Sequence, residues 1–588
     1  MRALREYLRE HTLLFDGAMG TYLAMRTHRS HRMSEWANLE CPGEVEKIHR
    51  EYLAAGSMAI KTNTYAANRL NIPEESCEKL IRAGCEIALR CANDAAWVFA
   101  DIGPISEGEG QEPLTEYRWL VDRFLEQGLC CFLFETQSGD DCLHEAAAYI
   151  KEKAPEAFIL CSFAVQPGGY TSEGEMAEEL LARAAADENI DAVGFNCAAG
   201  ARDMKKLLRR LKPVEKPFSV MPNAGYPTVR GNNAVYEGKS GYFARQIAEM
   251  QALGAKILGG CCGTTPEHIA AIPEALTAGT VPVKSAAPER AKPEKASEDP
   301  FWLALCDPAK RPFAVELDPP KIADAENYMH GALELREAGA DIITVADCPV
   351  ARTRMDAGIV ACKLQRELGV SALPHMTCRD RNLNATQALL LGLCAEGVRN
   401  VLLVTGDPIP SASRDEVKSV YNFNSRRLIH FVAGMNENSL PRPFHIFAAL
   451  NVNVRNFSVQ LDMARQKEEN GAEGFLTQPV LSAEGLENLR RAREVLKGKL
   501  LGGIMPIVSQ KSAVYMNSEI AGIRVDEAII ARYEGADRER GEALALEISA
   551  DYAKAMRPYV DGFYIITPPG RTALVARIME KIRRDAEA

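Results

Sequence analysis

Short apolar runs recur along the chain, and each ends in a polar or glycine-rich turn. In the first half they are LLFDGAMG, AIKTNTY, WVFADIGP, CCFLFETQ, FILCSFAV, AVGFNC, PFSVMPNAG and AKILGGCCG. In the second half they are FAVELDPP, IITVADCP, ALPHMTC, NVLLVTGDP, HIFAALNVN, GFLTQPV, LLGGIMPIVS and DGFYIITP. Between them lie stretches with apolar residues three and four apart, such as EVEKIHREYLAAG and EESCEKLIRAGCEIALRCAND. That spacing predicts helices. Near-continuous apolar strands alternating with helices predict a parallel sheet buried on both faces. Eight repeats per half favour closure into a (β/α)8 barrel. An open doubly wound sheet is the alternative, but neither half has a G-x-G-x-x-G fingerprint after its first strand. The expected fold class is therefore α/β, with two TIM barrels. No internal repeat aligns the halves, so they are different barrels.

One segment breaks the pattern. Residues 279–300, GTVPVKSAAPERAKPEKASEDP, carry four prolines, alternating charges and no bulky apolar residue beyond valine. Such a stretch cannot bury a core and reads as a Pro-rich, charged linker. It divides the chain into domains at 1–278 and 301–588, each near the roughly 250-residue size of a barrel.

Composition narrows the function classes. A length of 588 residues exceeds what one core serves, which agrees with two domains. The net charge of −11, with signs scattered, argues against nucleic acid, which needs a basic face. No run of about 20 apolar residues is present, so no membrane partner is expected. The first ten residues carry charges throughout and do not read as a signal peptide. Sixteen cysteines are spread thinly, many inside apolar runs, which predicts a reducing, cytoplasmic setting. A homo-oligomer is the expected assembly.

In such barrels the active site lies on the loops where the strands end. The first half places Asp16 and Gly17, Thr62 and Asn63, Glu135 and Thr136, Cys197, Asn223, and the adjacent Cys261 and Cys262 at those ends. Strand eight neighbours strand one in a closed barrel and lies two places from strand six, so Cys197 can approach the pair. Three converging thiolates with a fourth position open form a catalytic zinc (Zn2+) arrangement. Gly259, Gly260 and Gly263 permit the turn that aims both neighbouring thiols to one side. Thr265 reads as a helix N-cap with Pro266 at the first helical position. The second half places Glu316, Thr344, His375, Asp407, Asn451, Gln478 and Met505 at its strand ends. One acid, one histidine and several amides suit a large heteroaromatic ligand.

The motifs DGAMGT, TNTY, FET, GFNC and GGCCGTTPEHI closely resemble the homocysteine S-methyltransferase domain, over essentially residues 1–275. The resemblance implies that Cys197, Cys261 and Cys262 hold zinc and that homocysteine binds as a thiolate in the open position. It places the amino-acid head near Asp16, Gly17 and Glu135, with Thr62 and Asn63 also in the substrate site. A carboxylate facing the substrate ammonium is physically reasonable.

VELDPPK, PHMTC, VTGDP, QKEENGAEGFLTQPV, GGIMPI and YIITP closely resemble methylenetetrahydrofolate reductase, over about residues 311–580. That family holds FAD in a barrel without a Rossmann domain and reduces 5,10-methylenetetrahydrofolate to 5-methyltetrahydrofolate. The resemblance implies that Glu316 is the general acid, that Asp407 sits near flavin and pterin as a second catalytic residue whose charge favours the cationic iminium, and that Gln478 bonds the pterin. It implies that Thr344, His375 and Lys467 contact flavin. Three positions depart from the family pattern: Asp318 where Phe is frequent, Thr405 where Arg is frequent, and Gln460 where Asp is frequent.

The combined expectation is a bifunctional enzyme of methionine and one-carbon metabolism. The methyl donor is open among S-methylmethionine, S-adenosylmethionine, methylfolate and a separate corrinoid protein. The electron donor is open between NAD(P)H and a partner protein. The alternative is a zinc- and thiol-binding regulatory module joined to a flavin- and folate-binding subunit that needs a separate electron-transfer partner.

Overall fold

The computed structural model describes residues 4–27, 33–105, 112–230, 233–236, 238–277, 299–409, 419–520 and 522–587. The chain divides into two compact units, Met1–Glu289 and Arg290–Ala588. Most of the segment expected to be a linker, residues 279–298, lies outside the described residues. Its last two residues do not read as linker. Asp299 accepts a hydrogen bond from Trp302 N at 2.9 Å and caps the helix Pro300–Cys306, with proline at the first helical position.

The first unit contains the parallel strands β1 (Leu13–Leu14), β2 (Ala59–Lys61), β3 (Trp97–Ile102), β4 (Cys131–Gln137), β5 (Phe158–Phe163), β6 (Ala192–Gly200) and β7 (Phe218–Asn223). A hairpin, β8 (Thr228–Arg230) and β9 (Asn233–Val235), precedes β10 (Ala255–Leu258). The sheet order is β1-β10-β7-β6-β5-β4-β3-β2. A parallel bridge from Phe15 to Ala59 joins its two edges into a ring. All eight expected strands are present; the hairpin has no counterpart in the sequence reading.

Alternate residues of each strand face opposite ways, which explains the continuous apolar runs. Leu13, Phe15, Phe99, Leu133, Leu160, Met221 and Ile257 pack together in one buried cluster. Leu14, Ile60, Val98, Phe132, Phe134, Ile159, Val193 and Val220 join a second cluster with the helices. Leu4 and Leu8, one turn apart on the helix Leu4–Glu10, join the first cluster.

The second unit is a closed barrel of β11 (Phe313–Glu316), β12 (Ile342–Val345), β13 (Ala372–Thr377), β14 (Asn400–Val404), β15 (His445–Leu450), β16 (Gly474–Pro479), β17 (Lys499–Ile504) and β18 (Gly562–Ile566). Here too a short helix before the first strand supplies plugging residues: Phe301 and Leu305 pack with Ala314, Leu373, Phe447 and Leu501. Between β17 and β18, helices carry a satellite core that includes Met516, Ile529, Tyr533 and Leu544. Among the described residues no helix is long and apolar enough to cross a membrane.

His49, on the helix Pro42–Ala54, is fully buried, and neither ring nitrogen has a hydrogen-bond partner among the described residues. Burial lowers its pKa to about 4. The unfolded value is about 6.5. The folded state therefore resists the proton, and stability present above pH 6.5 is lost as pH falls toward 4. At pH 5 the loss amounts to about 2 kcal/mol. His49→Leu is expected to keep that stability between pH 7 and pH 5, read as a smaller shift of the urea midpoint than in the wild type.

Candidate active sites

Cys197 sits in β6 where the pairing with β7 is irregular between Asn196 and Gly200. Cys197 and Ala198 take φ of +54° and +50°, a left-handed conformation that side chains rarely adopt. The break lies where the Cys197 sulfur comes within 4.8 Å of those of Cys261 and Cys262, which follow β10. The glycines there are required by space. A Cβ on Gly260 would lie 2.5 Å from Thr264 Oγ1, and one on Gly263 (φ +77°) would lie 2.1 Å from the Tyr236 ring. Backbone bonds tie the pair to both neighbours: Gly260 N donates to Asp16 O, Cys261 N to Pro222 O, and Ala224 N to Cys262 O.

The sulfurs of Cys197, Cys261 and Cys262 all lie within 4.8 Å of one another. Cys197 Sγ and Cys262 Sγ are 3.8 Å apart. A tetrahedral zinc site with metal–sulfur bonds of about 2.3 Å has sulfur–sulfur edges of about 3.8 Å, so the donor set fits that ion. Three thiols this close cannot all ionise unaided. Donation from Cys261 and Cys262 lowers the Cys197 pKa to about 3, while Cys261 rises to about 12 and Cys262 also rises. Asn196 Nδ2 donates to Thr136 Oγ1 at 2.7 Å and points at Cys261 Sγ at 3.8 Å. Its Oδ1 accepts from Ser162 Oγ and Thr136 N, which fixes the amide.

The thiols open onto a cavity of about 450 Å³ whose lining includes Lys61, Thr62, Asn63, Asp101, Glu135 and Thr136. Lys61 Nζ donates to Glu135 Oε1 at 2.9 Å and lies 3.8 Å from Asp16 Oδ1. Lys61 N donates to Asp16 Oδ2. Burial raises the Asp16 pKa to about 7 and raises Glu135 and Asp101 as well. Asp16 and Gly17 are not on the cavity wall. A Cβ on Gly17 would meet Thr264 Oγ1 at 2.5 Å and Tyr52 Oη at 2.8 Å, so Gly17 admits close packing behind the wall. Thr62 Oγ1 pairs with Thr64 Oγ1 and accepts from Asp101 N. Asn63 bonds Ser34 and Asn38. Both side chains hold the loop that frames the cavity.

In the second unit, Glu316 ends β11 and Tyr564 lies on the adjacent β18. Tyr564 Oη donates to Glu316 Oε2, and His375 Nε2 lies 3.7 Å from the same oxygen. Burial pushes the Glu316 pKa up to about 7, against the lowering effect of the Tyr564 bond. Burial pushes His375 down to about 4, so its ring is neutral. Thr344 stands beside Glu316 in the β11–β12 register. Thr344 Oγ1 and His375 Nε2 are buried without a hydrogen-bond partner among the described residues. Unsatisfied buried polar atoms at a barrel mouth fit a bound polar ligand such as flavin.

Asp407 is exposed, on the loop after β14, and makes no described contact with Glu316. Its Oδ2 accepts from Val350 N at 2.7 Å, and its carbonyl accepts from the buried Arg379. Val350 belongs to a segment in which Cys348, Val350 and Ala351 all have φ near +50° (48°, 55° and 52°). Asp407 thus clamps a strained loop at the mouth. Lys467 donates to Ala449 O at 2.9 Å, and burial lowers its pKa to about 8. Gln478 and Asn451 both approach Gly522. Neither is in described contact with Glu316.

The homocysteine S-methyltransferase family model matches residues 13–276, and the methylenetetrahydrofolate reductase family model matches residues 304–582. The chain joins a homocysteine S-methyltransferase domain to a methylenetetrahydrofolate reductase domain. It is 32% identical to methionine synthase of Mycobacterium leprae over 317 residues, 47% of this chain and 26% of that protein. It is 30% identical to methionine synthase of Mycobacterium tuberculosis over 367 residues, 57% of this chain and 29% of that protein. The chain therefore spans between a quarter and a third of the length of these relatives. A crystal structure of the Escherichia coli homocysteine methyltransferase, in its oxidized form, shares 24% identity and covers 47% of this chain and 99% of that one, at a TM-score of 0.39.

Four site residues escaped the sequence reading. In the methyltransferase domain these are Lys61, Asp101 and Asn196; in the reductase domain, Tyr564. Each sits inside a motif that the reading singled out, AIKTNTY, WVFADIGP, GFNC and DGFYIITP. A charged residue inside an otherwise buried strand was the available signal for Lys61 and Asp101.

Proposed function

We propose that the methyltransferase domain uses zinc to methylate homocysteine to methionine, and that the reductase domain uses FAD to reduce 5,10-methylenetetrahydrofolate to 5-methyltetrahydrofolate. The convergence of Cys197, Cys261 and Cys262 on one cavity carries the first half. Zinc held by the three would keep the substrate sulfur a thiolate at neutral pH. In the transfer, a bond forms from that sulfur to the methyl carbon and the bond from carbon to its carrier breaks. Asn196 orients Cys261, and Glu135, with Asp16 behind it, faces the amino-acid head. Gly17, Thr62 and Asn63 shape that end of the site. The donor is S-methylmethionine, S-adenosylmethionine, methylfolate or a separate corrinoid protein.

The second half rests on Glu316, largely covered, with its pKa raised to about 7 by loss of water around the carboxyl. A carboxyl so poised can give a proton to N10 of the folate and open its five-membered ring. The hydride for the resulting iminium would come from the reduced form of bound flavin, which returns to FAD and is recharged by the electron donor. Thr344, His375 and Lys467 contact flavin in this reading, Gln478 bonds the pterin, and Asp407 holds the loop beside both. The electron donor is NAD(P)H or a partner protein.

Purified full-length chain should convert labelled methyl donor and homocysteine to labelled methionine with at least one of these donors. Zinc-loaded protein that makes none with any of them would favour the thiol-binding regulatory reading. Tyr564→Phe removes the bond that lowers the Glu316 pKa. The alkaline limit of folate reduction is expected to move up by about one pH unit, as loss of one charge-assisted hydrogen bond dictates. An unchanged pH profile would separate Tyr564 from the acid.

A further inference from the structure

We infer that Lys61 reads the α-carboxylate of the thiol substrate, so that the cavity floor recognises an amino acid as a zwitterion. The inference rests on the reading above that the substrate is an amino-acid thiol.

Among the described residues lining the thiol cavity, Lys61 is the sole lysine or arginine, against Glu35, Asp101 and Glu135. Lys61 is 6% exposed. Burying an ammonium costs several kcal/mol before pairing, so a buried lysine needs a reason. Pairing with Glu135 is one reason, but it uses only one of the three N–H donors. Asp16 Oδ1, at 3.8 Å, is too far to accept a second hydrogen bond. Two donors therefore remain on a cation that lines the cavity. Beside it, Asp101 Oδ1 is buried and accepts no hydrogen bond among the described residues. The floor thus offers donors for a carboxylate next to acceptors for an ammonium. A thiol that carries only one of these charges leaves part of the floor unpaired.

Calorimetry on zinc-loaded full-length chain tests the assignment with L-homocysteine and its decarboxylated analogue, 3-aminopropane-1-thiol. The wild type is expected to bind homocysteine more tightly by about 10- to 100-fold, the range for charge-assisted hydrogen bonds. Lys61→Met should erase that preference by weakening homocysteine alone, and Lys61→Arg should keep much of it. A variant that weakens both thiols equally would make Lys61 a structural counter-ion and overturn the inference. The wild-type comparison stands even if Lys61→Met fails to fold: equal affinity for the two thiols there refutes a carboxylate site. If the wild type holds zinc yet binds neither thiol, the amino-acid thiol reading itself falls, a result distinct from equal binding.

Discussion

Cys261→Ala is expected to purify folded but without zinc, and to make no methionine from any donor. Cys261 is one of three sulfurs that meet at the cavity, and an alanine leaves two. Loss of a partner that merely orients a ligand costs about 10- to 100-fold in metal affinity. Loss of a ligand itself exceeds that. Asn196→Ala, which removes the amide beside Cys261 Sγ, should fall in the milder range. The fold should survive, because the pair lies on the turn after β10, beyond the strand residues Ile257 and Leu258 that pack the two buried clusters. Metal analysis and circular dichroism on the same sample check both statements. Full zinc retention in Cys261→Ala would remove that residue from the ligand set.

Glu316→Gln is expected to slow reduction of methylenetetrahydrofolate by about 100- to 10,000-fold, the usual contribution of a positioned acid. Glutamine keeps the size and an oxygen that can accept from Tyr564, but it has no proton to give. Flavin should remain bound, because the substitution leaves its proposed partners Thr344 and His375 untouched. The wild-type rate should fall as pH rises through about 7, where Glu316 loses its proton. In Glu316→Gln that limb should vanish. A bleached protein would instead give Glu316 a structural role.

The strands were legible because each is buried on both faces, which writes an unbroken apolar run into the sequence. The cysteine site was legible for a different reason: the glycines around Cys261 and Cys262 have no use in a plain strand end. Other features depend on contacts that spacing does not encode. Tyr564 reaches Glu316 only because β18 closes on β11, across 248 residues of sequence. Lys61 and Asp101 end up on the cavity wall through the inward or outward phase of β2 and β3, which a strand buried on both faces leaves ambiguous. Asp299 and Pro300 looked like linker because their role is to start a helix whose apolar residues lie just beyond. The bond from Val350 N to the Asp407 carboxylate is likewise a contact across 57 residues that spacing does not encode.

The central claim is that the three cysteines leave one zinc position for the substrate sulfur. Zinc K-edge absorption of the full-length chain, with and without L-homocysteine, tests it most directly. Three sulfur neighbours at about 2.3 Å are expected without substrate and four with it. A sulfur shell that is the same in both samples would contradict it.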